Sequence, residues 1–407
     1  MLKDYFKLAW ENITHRKIRS WLTIIGIVIG IAAVVALISL GQGVKKVITN
    51  EFEKIGTDKI FVMPGSGFNP DTKGISPLTE YDMNIIRRTK GVNEVAGMYY
   101  KAGRVLYDKE LYIVTIIGMP LDETTKLLDE AWNLEYIDGR PLKSGDKYQI
   151  VIGHDVAHGK ILGKNVNIGD KIEIEGQKFA VVGEIKAMGD PSVDSGIIMP
   201  QKISWEIFNA TTSSGGEEAE IIVRVETSEN PDAVAENIKR ELRRSRGQKE
   251  GEEDFSVQTT EQLMESFDII LSALTAIVIG IAAISLFVGG VGIMNTMYTS
   301  VLQRTNEIGV MKAIGARNSH ILTIFLIESG MLGLIGGVIG LLIGMGLSSL
   351  IAFIGRNFLN TMLLYAYFPV YLIVGALLFA FVVGCASGIL PAIQASKQNP
   401  VDALRYE

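Results

Sequence analysis

"SWLTIIGIVIGIAAVVALISL", Ser20 to Leu40, is an apolar run without a single charged residue. A helix needs about 20 such residues to cross the hydrocarbon core of a bilayer. Three further runs are comparably long and apolar: about Ile269 to Ser300, Ile321 to Ile354, which carries the single acid Glu328, and Pro369 to Leu390. Lipid cannot satisfy an exposed backbone, so runs of this kind are helical. The first could also be a cleaved signal peptide, but it is too long for a usual apolar signal core. No small-x-small cleavage site follows it, and an uncleaved signal anchor is expected.

Composition agrees with spans alternating with a polar domain. The chain has 407 residues, 48% hydrophobic and 21% charged, with 43 glycines, and a mean hydropathy of +0.27. Its net charge of -6 leaves no electrostatic footprint for nucleic acid. Cys385 is the single cysteine and sits in the last apolar run. That excludes an internal disulfide and most metal frameworks, and reads as a small packing residue.

Basic residues in short loops set the orientation. Lys3, Lys7, Arg16, Lys17 and Arg19 precede the first span, Arg304, Lys312 and Arg317 lie between spans two and three, and Lys397 and Arg405 follow span four. All three regions are therefore expected in the cytoplasm. The expected layout is a cytoplasmic amphipathic segment (1–19), span one (20–40) and an extracytoplasmic α+β domain (41–266). Span two (267–300), a cytoplasmic loop (301–320), span three (321–354), a short outer loop (355–368), span four (369–391) and a cytoplasmic tail (392–407) follow.

The outer domain mixes two periodicities. "KIFVMPG", "ELYIVTIIGMP", "YQIVIG", "KIEIEGQKFAVVGEI" and "AEIIVRVE" have strand character, the fourth as a hairpin turning at Glu175-Gly176-Gln177. "EYDMNIIRRT" and "PDAVAENIKRELRRS" read as amphipathic helices. "TTSSGGEE" and "GQKEGEED" have linker composition. Two lobes are expected, the second a β-rich insertion at about 120–215.

No catalytic constellation stands out. His154 and His158 in "IGHDVAHGK" are four apart, a spacing that on a helix can share a metal. No third ligand is apparent in the sequence, and surface histidines are expected. The same stretch brushes against a P-loop, but Gly153 and Gly159 are one residue too far apart and Ile161 stands where Ser or Thr is needed.

Gly26 and Gly30 form a GxxxG element, and span three carries a ladder at Gly333/Gly337, Gly336/Gly340 and Gly340/Gly344. Small residues four apart let helices approach closely in lipid, within the chain or across a dimer. Glu328 is the one carboxylate well inside a span. Intramembrane acids are candidates for function, but no relay of acids accompanies it. Bonding to hydroxyls or to the interface is expected.

Between spans two and three lies "QRTNEIGVMKAIGAR", Gln303 to Arg317. Arg304, Glu307, Lys312 and Arg317 are expected to hold it in water. Ile308, Met311 and Gly315 fall on one helical stripe, suited to a groove on a partner or to resting on lipid.

The ordered blocks resemble the MacB-type ABC transporter permeases of the MacB/FtsX/LolE superfamily, nearly end to end. They are "AWENITHRKIRSWLTIIGIVIGIAAVVALISLGQGVKKVI", "EKIGTDKIFVMPG", "LEYIDGRPL", "VIGHDVAHGKILGKNVNIGDKIEIEGQKFAVVGEIKAMG", "SVLQRTNEIGVMKAIGARNSHILTIFLIESGMLGLIGGVIG" and "PAIQASKQNPVDALRYE". The resemblance implies a homodimer of four-helix subunits, each bearing a porter lobe with an inserted second lobe. It implies a cytoplasmic ATPase dimer that carries the ATP and Mg, and an extracytoplasmic adaptor as a further partner. In MacB the ATPase is fused ahead of the first span. Here some twenty residues precede Ser20 and no P-loop occurs, so hydrolysis is expected from a separate chain and this one is expected to be non-catalytic, without a cofactor or metal. The resemblance also implies that the loop is a coupling helix contacting the ATPase through Arg304, Thr305, Glu307, Ile308, Gly309, Met311, Lys312 and Gly315. The expected function is a permease passing ATP-driven motion to an outer domain for export of a drug, peptide or lipid-linked molecule. An FtsX-like regulator of a cell-wall enzyme and a membrane-anchored sensor without an ATPase are the alternatives.

Overall fold

The computed structural model describes residues 19–65, 76–358 and 364–404. Lys3, Lys7, Arg16 and Lys17 of the expected N-terminal segment, and Arg405 of the tail, lie outside the described residues. Two compact units emerge: one from residues 1–45, 269–359 and 364–407, the other from residues 46–268 and 360–363.

Helix α1 (Arg19–Ile55) contributes to both units. The sheet unit then contains β1 (Lys59–Pro64), β2 (Leu78–Thr79), α2 (Glu80–Arg87), β3 (Val92–Tyr107), β4 (Glu110–Met119) and α3 (Thr125–Ala131). After them come β5 (Tyr136–Gly139), β6 (Gln149–Ile152), α4 (His154–Ala157), β7 (Lys171–Ile174), β8 (Gln177–Ile185), α5 (Pro191–Asp194) and β9 (Gly196–Pro200). It closes with α6 (Gln201–Phe208), β10 (Thr211–Thr212), β11 (Gly215–Glu218), β12 (Glu220–Val225), α7 (Pro231–Arg246) and β13 (Phe255–Thr259). The helical unit is completed by α8 (Thr260–Gln303), α9 (Thr305–Ala313), α10 (Asn318–Phe358), α11 (Val370–Ser396) and α12 (Pro400–Leu404), the first turns of α8 belonging to the sheet unit.

Local chemistry explains the elements read from sequence. Asn230 caps α7 by accepting from the N–H groups of Asp232 and Ala233, Pro231 opens it, and Gly247 at φ 66° ends it. Glu175 (φ 46°) and Gly176 (φ 84°) turn β7 into β8, both in the left-handed region that a tight hairpin requires. The capping box of Thr79 and Asp82 starts α2, and Arg246 binds Asp82 at 2.7 Å and Asp254 at 2.8 Å.

Two features correct the sequence reading. First, the lobes are not separate. Ten strands make one mixed sheet, β13-β1-β12-β3-β4-β9-β6-β8-β5, with β7 against β3 and β8. Strand β3 pairs with β12 through residues 92–98 and with β4 through Tyr99–Tyr107. One core, around Ile60, Ile221 and Ile238, therefore lies toward one end of the sheet, and a second, around Ile150, Phe179 and Ile197, toward the other. The insertion begins inside β3, not near 120. Gly97 and Gly103 disguise that continuity, since glycine in a strand reads as a break. A Cβ at Gly97 would meet the Glu218 carboxyl at 2.5 Å, and one at Gly103 the Phe208 ring at 2.8 Å. Second, "TTSSGGEE" is a hairpin, not a linker: β10 pairs with β11, and β11 with β2. Gly216 leaves room for Trp205, whose ring a Cβ would meet at 2.3 Å, and the indole N–H donates to the Glu217 carbonyl at 2.8 Å.

Four helices are long and apolar enough to cross a membrane: α1, α8, α10 and α11. They outrun the expected spans. Helix α11 passes through Pro391 to Ser396, because Ala392 and Ala395 are buried in the bundle core with Ile308, Ile321 and Phe325. Tertiary packing overrides the proline there. The glycine ladder of α10 divides between two neighbours. A Cβ at Gly333 would meet the Ala380 carbonyl of α11 at 2.3 Å, and one at Gly337 the Ala380 side chain at 2.6 Å. One at Gly340 would meet the Val28 carbonyl of α1 at 2.8 Å, and one at Gly344 that of Ala32 at 2.7 Å. A Cβ at Gly26 would meet the backbone of Gly289 on α8 at 2.7 Å, and one at Gly30 the Leu286 side chain at 2.9 Å. Gly336 is buried as well. The six glycines whose neighbours are given each face another helix of the same chain. Cys385 sits in this packing too, 2.7 Å from a Cβ built on Gly330.

Candidate coupling site

The break between α8 and α9 falls at Arg304 (φ -111°, ψ 17°). Thr305 Oγ donates back to the carbonyls of Val301 and Leu302 at 3.2 and 3.0 Å, finishing the end of α8. The far end of α9 is a Schellman stop. Gly315 takes φ 101°, its N–H donates to Lys312 O, and the N–H of Ala316 donates to Met311 O, each at 3.0 Å. Gly315 thus ends the helix, at an exposed position.

Three expectations for this segment are overturned. Ile308 is fully buried and Gly309 buried, while Met311 packs half-buried against the same core. That stripe faces the chain's own helices. The outward face instead carries Asn306, Glu307, Val310 (48% exposed) and Ile314 (82% exposed). A periodic apolar stripe marks a buried face without saying whose core buries it, so sequence alone chose the wrong side.

Arg304 and Lys312 are not held in water either. The Arg304 guanidinium donates to Glu328 on α10 at 3.1 Å and to Glu307 at 2.8 Å, and lies 5.7 Å from the centre of the Phe325 ring. Its side chain is 16% exposed and that of Glu328 3%. Glu328 was expected to bond to hydroxyls or to the interface; instead it meets a cation, which arrives from the loop and not from a span. Lys312 Nζ donates to the Gln398 carbonyl, just before α12, at 2.7 Å. Helix α9 is therefore clamped at both ends to the helices that follow it. Glu307 and Arg317 remain exposed. The cue that sequence offered for the clamp was a lone acid ten residues into α10 and an arginine closing α8, separated by 24 positions.

His154 and His158, the other candidates, are the first residue and the C-cap of α4 in the sheet unit, with rings 4.0 Å apart. Contrary to the sequence reading, a third group joins them, Glu184 on β8.

Comparison with known proteins gives these features a setting. Residues 20–241 match the MacB-like periplasmic core domain family, and residues 266–400 the FtsX-like permease C-terminal family. An uncharacterized ABC transporter permease of Methanocaldococcus jannaschii is 39% identical over 410 residues, covering 99% of this chain and 98% of that protein. The macrolide export ATP-binding/permease protein MacB of Hahella chejuensis is 30% identical over 412 residues; the match takes 99% of this chain but 60% of that protein. The ABC transporter permease YknZ of Bacillus subtilis is 28% identical over 423 residues, end to end in both chains. Among solved structures, the periplasmic region of MacB from Actinobacillus actinomycetemcomitans aligns at 17% identity and a TM-score of 0.43, covering 54% of this chain and 97% of that one. The chain belongs to the MacB/FtsX family of ABC transporter permeases.

Proposed function

We propose that this permease couples a separate cytoplasmic ABC ATPase to work done by the sheet unit outside the membrane, with both termini and α9 in the cytoplasm. The clamp on α9 carries the reading. A segment that only rested on lipid would need no buried ion pair to the bundle. A push on α9 reaches α10 through Arg304 and Glu328, and reaches the chain end through Lys312. The glycine contacts then pass it to α1 and α11 with little slack, since close-packed interfaces transmit displacement instead of absorbing it. Helices α1 and α8 each run unbroken into the sheet unit's sequence. ATP and Mg belong to the partner, and no chemistry is assigned to this chain.

We assign the ATPase contact to Val310 and Ile314, with Glu307 and Arg317 beside them, because these two are the exposed large apolar side chains of α9 and its C-cap. The second copy of a homodimer is placed on α8, of whose apolar window only 11% is covered within the chain, against 28–39% for the other three spans. Export is the favoured outcome, with an extracytoplasmic adaptor engaging the sheet unit; the exposed Leu111 and Ile113 on β4 support such a contact.

The test replaces Val310 or Ile314 by Glu and measures co-purification with the ATPase and ATP-driven transport in vesicles. Apolar anchors at an interface centre carry about 2 kcal/mol or more each, so at least a tenfold loss of association is expected. Unchanged association together with unchanged transport would rule out the α9 contact.

A further inference from the structure

Helix α4 is one turn long; His154 opens it and His158 caps it, and their rings lie side by side with planes 36° apart. Oε1 of Glu184 lies 3.3 Å from Nδ1 of His154 and 3.5 Å from Nδ1 of His158. The sheet enforces this meeting. Strands β6 and β8 run parallel with Ile152 opposite Glu184, and β6 passes through Gly153 directly into α4. Gly153 is itself pinned: its N–H donates to the Gly196 carbonyl at 2.9 Å, and a Cβ there would meet the Val193 carbonyl at 2.2 Å. Val156 and Ala157 are buried beneath the turn. The three groups therefore project from fixed backbone at the carboxyl ends of two parallel strands, where sheets of this kind place ligands.

We propose that His154, His158 and Glu184 form a binding site for a divalent transition metal of the Zn²⁺ class. Bonds of about 2.0–2.2 Å in a tetrahedral shell separate neighbouring ligand atoms by about 3.3–3.6 Å. Both carboxylate–imidazole distances lie in that interval, and one ligand atom from each residue can be chosen with all three within 4.8 Å of one another. One divalent ion uses a lone pair from each of the three side chains at once, with the two rings 4.0 Å apart. In the free site Nδ1 of His158 also donates to the His154 carbonyl at 3.0 Å; ligation replaces that proton. Two imidazoles and one carboxylate select Zn²⁺ and its neighbours over Ca²⁺ or Mg²⁺, which take oxygen shells. The side chains are graded outward, Glu184 15%, His154 26% and His158 50% exposed. The fourth coordination position therefore opens to solvent, available to water or to a group from a bound molecule.

The experiment titrates the full chain, in detergent, stripped by chelator and free of any histidine tag, with Zn²⁺ against a chromophoric chelator. We expect one Zn²⁺ per chain with a Kd on the order of 1–10 µM or tighter, and a rise in Tm on saturation. Glu184→Gln, His154→Gln and His158→Gln should each weaken binding by about tenfold or more and abolish the rise in Tm. His158 is the most exposed of the three, so its replacement tests the site even if the other two variants fold poorly. The chain has four histidines, and His15→Gln and His320→Gln should leave binding unchanged. Saturable binding that survives His158→Gln, or no saturable uptake up to about 100 µM Zn²⁺, would overturn the proposal.

Discussion

The helical unit and the sheet unit each bury a carboxylate, and they quiet it in opposite ways. Glu328, 3% exposed, is met by the Arg304 guanidinium at 3.1 Å. Glu218, 1% exposed, accepts from the Gln201 amide at 2.7 Å, while its Oε1 has no hydrogen-bond partner among the described residues. Burial, with the negative charge of Glu80 adding to it, pushes the Glu218 carboxyl up to about 9, so it stays protonated and neutral. A counter-ion ties Glu328 to a second segment by charge; a proton removes the charge of Glu218 and leaves it the Gln201 hydrogen bond. The first device makes a charged joint between segments, the second a neutral interior.

The contrast can be broken most forcefully at the ion pair. Arg304→Ala leaves Glu328 as an uncompensated buried charge and should cost about 3–5 kcal/mol, read as a lowered unfolding midpoint in detergent. The double variant Arg304→Met, Glu328→Leu should recover most of that stability yet lose ATP-driven coupling. A stable, fully coupled double variant would mean that the pair has no transmitting role.

At Glu218 the expected effect depends on pH. The ordinary value is 4.5 and the folded value about 9, so the folded state holds a proton that the unfolded chain releases. Its contribution is complete below the unfolded value and is lost as pH rises through the folded one, by about 1 kcal/mol per pH unit. Wild-type sheet-unit stability should therefore fall between about pH 5 and 9, and Glu218→Gln should flatten that fall. A pH profile identical in the two proteins would show Glu218 to be charged in the fold. Gly315→Ala should be the mildest change. An alanine at φ 101° costs about 1–2 kcal/mol locally, seen as faster amide exchange at the end of α9, with the Glu218 pH profile untouched.

Much of the fold was legible because its signals are local. Four long apolar runs announce four helices, alternation announces strands, and Asn230, Pro231 and Gly247 bracket α7. What escaped is what depends on residues far apart in the chain. Glycines in β3 read as breaks because Glu218 and Phe208, which need the space, come more than a hundred residues later. The stripe of Ile308 and Met311 was visible, but its owner was not, since Phe325 and Ala392 lie beyond the next turn and the next span. Glu184 reaches His154 through a strand register that no spacing rule encodes. Of the coupling residues taken from resemblance, Arg304 and Lys312 hold the segment in place, and Gly315 ends it. Val310 and Ile314 went unnoticed for lack of a way to tell which side of α9 is covered.

Strand β1 has a bearing on how the protein is made. Its neighbours in the sheet are β12 and β13, and Lys59 finds its partner only in Arg224. A ribosome adding about 5–20 residues per second delivers that partner roughly 10–30 s later. During that interval the segment "IFVM" (residues 60–63) sits just past a newly inserted anchor with both hydrogen-bonding edges open, an invitation to mispairing. Biogenesis of this permease should therefore lean on a holding chaperone or slow translocation at this stage, and damage confined to β12 should surface as aggregation during synthesis before it surfaces as lost activity.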